Sequence, residues 1–487
     1  MNTPLRRLAL VVVSMFLVLM VGTTWVQFVQ ADALNNDTRN VRTLYREFGN
    51  PRGPIIVAGT PVAWSEPVDD AFGYQRIYDP GALYSSVTGF YSIANGRTEI
   101  ERYENDVLTG TSDSLFLSRL QDLITGKQPQ GSSVELTINP AAQQAAWDGL
   151  GDQVGAVVAI DPKTGAILAL VSKPGFDPNL LATHSSTEAN AAYQELLAAP
   201  NDPLENKAIN GKTYPPGSTF KLVTTAAALE SGQYTADSVL TAPDVLTLPG
   251  TSTTLKNYGG ESCGSGGQTT LTDALRISCN TAFAQLGIDL GDDALREQAD
   301  KFGFDDPSLT IPMPVTKSFF PGSDDLDAAK LAKSAIGQQD VRATPMQMAM
   351  VSAAIANGGK LMTPYTVQTI RTADLDVISE TKPSVLSTAV STSTASTLRD
   401  MMISVVENGT GKAAQISGVQ VAGKTGTAET TAEAAPHAWF TGFAPANDPQ
   451  VAVAVIVEHG GSVGSEATGG KIAAPIAKAV MQAVLNR

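Results

Sequence analysis

The chain has 487 residues and a formal net charge of −15, from 33 Lys+Arg against 48 Asp+Glu, with 43% hydrophobic and 17% charged residues. That much apolar material is enough for a packed core in two or three domains, and the acidic balance excludes nucleic acid as the main partner. Two cysteines and three histidines (His184, His437, His459) lie scattered along the chain, so no Cys/His zinc cluster can assemble. No metal or other cofactor is expected, and a Ser-His nucleophile is short of candidates.

After Arg6 and Arg7 the chain runs from Leu8 to Val29 without a charge. At a rise of about 1.5 Å per residue this crosses a hydrocarbon layer about 30 Å thick. A cleavable signal peptide has a shorter apolar stretch and a small-x-small site, so an uncleaved anchor over residues 1–33 is expected. Trp25 and Phe28 suit the far interface. Arg6 and Arg7 before the span, with Asp32 and Asp37 after it, place the rest of the chain outside the cytoplasm by the positive-inside rule.

Residues 34–133 mix polar runs such as Asn35-Asn36-Asp37 with short apolar stretches and hold no catalytic constellation, which predicts a stalk or docking domain. The loop signature Lys127-Gln128-Pro129-Gln130-Gly131-Ser132-Ser133 ends it, and the second domain, 134–487, begins with a strand at Val134–Ile138 and a helix opened by Pro140. Two apolar strands flank the turn Asp161-Pro162-Lys163-Thr164-Gly165. Helices are expected at Phe220–Glu230, Leu271–Ile288 and Met346–Asn357, and again over Leu398–Val406 after a Ser/Thr-rich loop. Strands at Val419–Thr427, Ala438–Phe443 and Val451–Val457 precede a closing helix at Pro475–Leu485. Strands at both ends of a mostly helical middle predict an α+β fold. Cys263 and Cys279 suit a disulfide outside the cytoplasm, the alternative being two buried thiols.

Three short patterns carry chemistry. Pro215-Pro216-Gly217 stops any helix from upstream, so Ser218 falls in the first turn of the next one and Lys221, three residues on, lies on the same face. The Lys221 amine can therefore reach the Ser218 hydroxyl, a nucleophile pair that needs no histidine, provided that a dry site or a nearby cation lowers the lysine pKa. Ser278-Cys279-Asn280 adds a proton-relaying hydroxyl and a two-way amide. Lys424-Thr425-Gly426-Thr427 places a positive charge on a strand whose glycine lets a substrate backbone lie close. Two look-alikes are set aside on context: Ser379-Glu380-Thr381-Lys382 in a polar stretch before Pro383, and Lys163-Thr164-Gly165 in a hairpin turn.

The order of these three motifs resembles the penicillin-binding proteins, serine D,D-transpeptidases that cross-link peptidoglycan. The likeness runs from about Val134 to the carboxyl end, through Leu136-Thr137-Ile138, Pro174-Gly175-Phe176-Asp177-Pro178-Asn179, Ala335-Ile336-Gly337-Gln338, Asn408-Gly409-Thr410-Gly411 and Trp439-Phe440-Thr441-Gly442. Arg52-Gly53-Pro54-Ile55 looks like the start of a class B pedestal, and the segment ahead is too short for the glycosyltransferase of class A. Among class B types the chain is most similar to the short penicillin-binding protein A type of actinobacteria.

The resemblance implies an antiparallel sheet with helices on both sides. It implies that Ser218 attacks the penultimate D-Ala carbonyl, Lys221 takes the proton, and Ser278 passes one to the leaving amine. Asn280 would hold the donor stem peptide, Lys424 would keep the site electropositive, Thr425 and Thr427 would bind the substrate carboxylate, and Gly426 would lie with them along the bound peptide. Backbone N–H groups of Ser218 and Thr427 would form the oxyanion hole. The implied partners are stem peptides, β-lactams, the membrane, and cell-division or elongation proteins including a glycosyltransferase. Departures are Cys279 inside the second motif, where reduction of a disulfide would loosen the site, and Gln339 where many relatives have glycine.

A β-lactamase, a penicillin sensor or a D,D-carboxypeptidase shares all three motifs, but the anchor and upstream domain favour the transpeptidase. An inactive scaffold is disfavoured by the intact Ser-Lys pair. Gly418-Val419-Gln420-Val421-Ala422-Gly423-Lys424-Thr425 also fits the Walker A pattern, yet its alternation is that of a strand, and Ala432-Glu433-Ala434-Ala435-Pro436 leads to another strand rather than a helix.

Overall fold

The computed structural model describes residues 3–30, 48–112, 130–429 and 434–486. Asp32, Asp37 and the Asn35–Asp37 run, the first residues of the 127–133 loop, and Ala432-Glu433 lie outside the described residues.

Helix α1 (Thr3–Thr24) continues through a wider turn, so that Thr3–Val29 forms one helix long and apolar enough to cross a membrane. Strands β1 (Ile55–Val57), β2 (Thr60–Pro67) and β3 (Tyr74–Tyr78) follow as an antiparallel ribbon. Next come β4 (Ser133–Leu136) and α2 (Pro140–Leu150), the latter started by the Asn139 side chain accepting from Ala142 N–H, with Pro140 in the first turn. The hairpin β5 (Gly155–Ile160) and β6 (Ile167–Lys173) precedes the helical middle: α3 (Lys221–Glu230), α4 (Leu271–Ile277), α5 (Asn280–Leu290) and α6 (Pro345–Ala356). Then β7 (Val367–Arg371), β8 (Val377–Glu380) and α7 (Thr392–Asn408) lead to β9 (Ala422–Ala428), β10 (His437–Ala444), β11 (Val451–Val457) and α8 (Ala473–Leu485).

The sheet order β9-β10-β11-β5-β6, antiparallel throughout, unites both ends of the second region, as the α+β reading requires. Both faces are buried, and alternation sorts them. Val451, Val453, Val455 and Val457 pack with α2 and α8, whereas Ala452, Ala454 and Ile456 face the larger core built by α3, α5, α6 and α7. Helix α6 is buried on nearly every side, which is why its sequence is apolar all round.

One expectation needs revision. The single helix Leu271–Ile288 is two helices, α4 and α5, because Ser278 adopts a left-handed conformation (φ 64°, ψ 41°) and turns the chain. A second sheet, β8-β7-β4-β1-β2-β3, mixes regions that the composition separates: β4 runs parallel to β1 on one side and antiparallel to β7 on the other. The boundary expected at 133/134 thus falls inside β4.

Beside this sheet, Glu101 is fully buried and receives Arg52 Nε and, at 2.7 Å, Arg76 Nε, with Tyr78 Oη donating at 3.1 Å. Burial pushes its carboxyl up, but Arg76 and Arg52 outweigh burial and hold it below the usual glutamate range. Glu101→Ala strands two buried guanidinium groups, so we expect a loss of about 3–5 kcal/mol in unfolding free energy, measured by urea denaturation of the full chain in detergent. A loss within the error of the extrapolation would show that the network is not structural.

Candidate active site

The nucleophile segment is a close-packed turn. Gly217–Phe220 forms one 3₁₀ turn that runs directly into α3, so Ser218 sits one turn ahead of Lys221 and is only half-buried, while Lys221 opens α3 fully buried. The turn is held from three sides. Gly217 N–H donates to Gly337 O at 2.9 Å, Trp439 Nε1 donates to Pro215 O at 3.1 Å, and Thr219 Oγ1 donates to Pro216 O at 2.7 Å. Gly217 has φ 53° and comes so near β9 that a Cβ would lie 2.8 Å from Thr427 O. A Cβ on Gly337 would overlap Gly217 O. Gln339, the departure from glycine, occupies a left-handed φ of 58°, where glycine is the unstrained choice.

The structure brings Lys221, Ser278, Asn280 and Lys424 into one network. Lys221 Nζ donates to Ser278 O at 2.8 Å, Asn280 Oδ1 at 2.8 Å and Ser278 Oγ at 3.3 Å. Lys424 Nζ reaches the same Ser278 Oγ at 2.8 Å and Thr425 O at 2.9 Å. No hydrogen bond joins Lys221 Nζ to Ser218 Oγ among the described residues, so the amine engages the second motif rather than the nucleophile in this state.

Neither lysine is exposed. Burial, and then the Lys424 charge, hold the Lys221 amine well below the usual lysine range, and burial alone brings Lys424 down to about 7. A neutral amine is what a proton acceptor beside a serine needs.

Of the third motif, Thr427 is the residue of β9 left partly open, and β9 is the edge strand, so one side of its backbone is free of strand partners. Gly426 leaves no room for a side chain: a Cβ would sit 3.0 Å from Pro216 O, Thr219 Cγ2 and Trp439 Cβ. Thr425 is buried and its hydroxyl pairs with Thr410 at 2.6 Å. Thr410 and Asn257, whose side chain meets the start of α5, escaped the motif reading because both act across the fold. The Asn408–Gly411 likeness gave the only signal for Thr410.

Cys263 and Cys279 are joined, with S–S 2.05 Å, next to Ser278 and Asn280. The look-alikes lie elsewhere: Ser379 and Glu380 end the outer strand β8, and Lys163 pairs with Asp448 at an exposed turn. Lys424 and Thr425 are inside β9, not at a helix start, which removes the phosphate-loop reading.

The "Penicillin binding protein transpeptidase domain" family matches residues 155–482, and the "Penicillin binding protein A dimerisation domain" family matches residues 52–134. The chain belongs to the penicillin-binding protein transpeptidase family. Among its relatives, the peptidoglycan D,D-transpeptidase PbpA of Mycolicibacterium smegmatis is 46% identical over 494 aligned residues, covering 100% of this chain and 99% of that protein. Its Mycobacterium tuberculosis counterpart is 45% identical over the same shares. The ceftriaxone acyl-enzyme complex of penicillin-binding protein A from M. tuberculosis superimposes with a TM-score of 0.87 at 45% identity, covering 91% of this chain and all of that one. The penicillin G acyl-enzyme complex of the same protein gives 0.85. This is the class B arrangement and the penicillin-binding protein A type that the motifs suggest.

Two outcomes follow for this family member. Lys424→Met removes the cation that depresses the Lys221 pKa, so the amine stays protonated to higher pH. The acid limb of the acylation rate against pH should then move upward, and an unmoved limb would remove the electrostatic role of Lys424. Reduction of Cys263–Cys279 by a thiol should slow acylation by penicillin; equal rates before and after would show that the bond is irrelevant to the site.

Proposed function

We propose that this chain is a membrane-anchored peptidoglycan D,D-transpeptidase that cross-links stem peptides through an acyl-enzyme on Ser218 and is acylated there by β-lactams. The observation that carries the reading is the Lys221 amine: fully buried, beside a second buried lysine, surrounded by neutral acceptors, and one turn from the half-open Ser218.

In this mechanism Ser218 Oγ attacks the carbonyl of the penultimate D-Ala and its proton passes to neutral Lys221. The developing oxyanion is met by the backbone N–H groups of Ser218 and Thr427, each worth about 3 kcal/mol in such sites. Ser278, hydrogen-bonded to both lysines, returns a proton to the leaving D-Ala amine. Asn280 orients the donor peptide, Gly426 lets its backbone approach β9, Lys424 keeps the site electropositive, and Thr425 and Thr427 receive the carboxylate. An amine from a second stem peptide then attacks the ester, and Ser218 is regenerated.

Residues 1–33 anchor the enzyme with its amino terminus in the cytoplasm, residues 34–133 form the pedestal, and residues 134–487 catalyse outside the membrane. The pedestal docks cell-division or elongation proteins, including a glycosyltransferase that supplies nascent strands.

The deciding experiment is intact-mass and peptide mapping of the full chain in detergent after exposure to penicillin G, with Ser218→Ala alongside. The expected result is a long-lived adduct on Ser218 that the variant lacks. Rapid drug hydrolysis without an adduct would indicate a β-lactamase instead, and neither adduct nor turnover an inactive scaffold. Incubation with a donor stem peptide and an acceptor amine then separates cross-linking from simple release of D-Ala.

A further inference from the structure

The turn that presents Ser278 and Asn280 receives little support from its own sequence. Position 279, where a Ser, Thr, Asp or Asn would normally cap α5, is a disulfide cysteine whose side chain caps no N–H. The first donors of α5 are met from outside the helix. Asn257 Oδ1 accepts from Asn280 N–H at 2.9 Å and from Thr281 N–H at 3.1 Å, while Asn257 Nδ2 donates to Glu261 O at 3.1 Å. Asn257 is buried, so both ends of its amide are committed to protein. The neighbouring carbonyl of Lys256 accepts from Asn280 Nδ2 at 3.2 Å, which fixes that side chain with its Oδ1 toward Lys221 Nζ.

We propose that Asn257 is a positioning residue of the acylation site, holding Asn280, and through it the Lys221 amine, with an acceptor that carries no charge. The inference rests on the reading of Ser218 and Lys221 as the acylating pair.

The choice of an amide has a physical reason. Aspartate caps helices as well as asparagine does, and its charge is favoured at a helix amino terminus. Here, however, a carboxylate would sit on the backbone N–H of Asn280, the residue whose side chain Lys221 contacts, and would favour the ammonium form. The charged groups on the surrounding elements are Lys424 on β9, the Asp273–Arg276 pair on α4, Asp289 on α5, Arg399, Asp400 and Glu407 on α7, those of the helix Asp292–Lys301 packed on α3, and Lys256 and Glu261 flanking Asn257. Only Lys424 bears on the Lys221 amine, and it disfavours the charged form. A neutral cap leaves that balance intact. The disulfide ties the same 257–263 loop to the turn a second time, so the loop acts as a strap across the second motif.

The test compares the full chain in detergent with Asn257→Ala and Asn257→Asp, measuring second-order acylation by penicillin G against pH, with thermal unfolding as a check on folding. Asn257→Ala should lower the rate roughly 10- to 100-fold, the range expected when a reacting group loses its alignment. Asn257→Asp keeps the acceptor for the α5 N–H groups but loses the donor to Glu261 O, so it should recover part of that loss at high pH, with its acid limb displaced to higher pH than in the unmodified protein. A purely structural role would leave the pH profile of the aspartate variant unmoved. That result, or an unchanged rate in Asn257→Ala, overturns the proposal. If Asn257→Ala does not fold, the aspartate profile decides alone. Failure of the unmodified chain to form any adduct would instead refute the acylation reading itself.

Discussion

Two lysine side chains without solvent exposure converge on one serine hydroxyl. Taking an ammonium group out of water costs several kcal/mol unless an anion accompanies it, and no carboxylate contributes to either lysine's shift. The surroundings supply neutral oxygens instead: Ser278 O and Oγ, Asn280 Oδ1 and Thr425 O. These satisfy the donors without making the charge comfortable. The economical relief is loss of a proton from one lysine, and Lys221, with burial and Lys424 both acting on it, is the one that yields. The neutral amine that can accept a proton is thus a product of burial.

Such burial demands close approach of separate chain segments, and glycine provides it. The Gly217 turn touches β9 at Thr427 and the 337 segment at once, and Gly426 lets β9 lie against Pro216 and Thr219. Trp439, on the adjacent strand β10 directly opposite Gly426, hydrogen-bonds back to Pro215. Nucleophile, amine and substrate strand are one packed unit rather than residues on separate loops.

What could be read from the chain divides along the same line. The five strands of the main sheet, the closing helix and the three motifs were legible because each is encoded within a few residues: alternation in β11, Pro-Pro-Gly before Ser218, lysine and glycine on β9. The break in α4–α5 was not, since apolar periodicity continues through Ser278 and the left-handed kink is imposed by distant contacts. Asn257 and Thr410 were invisible for the same reason, as each acts on a residue well removed along the chain. The likeness to a family supplied the roles, and the packing explains how those roles can be filled.

The six-stranded sheet has a consequence for how such a chain comes into being. Strand β4 must find β1 from upstream and β7 from far downstream, and the hairpin β5–β6 must wait for β11. A polypeptide made from its amino terminus would hold both strand pairs with an open flank until β7 and then β11 had been synthesised. Non-local pairing of this kind closes slowly, and an unpaired flank invites a foreign strand. The arrangement that joins distant segments in the folded protein therefore leaves the nascent chain vulnerable, and it ties successful folding to the last strands to be made.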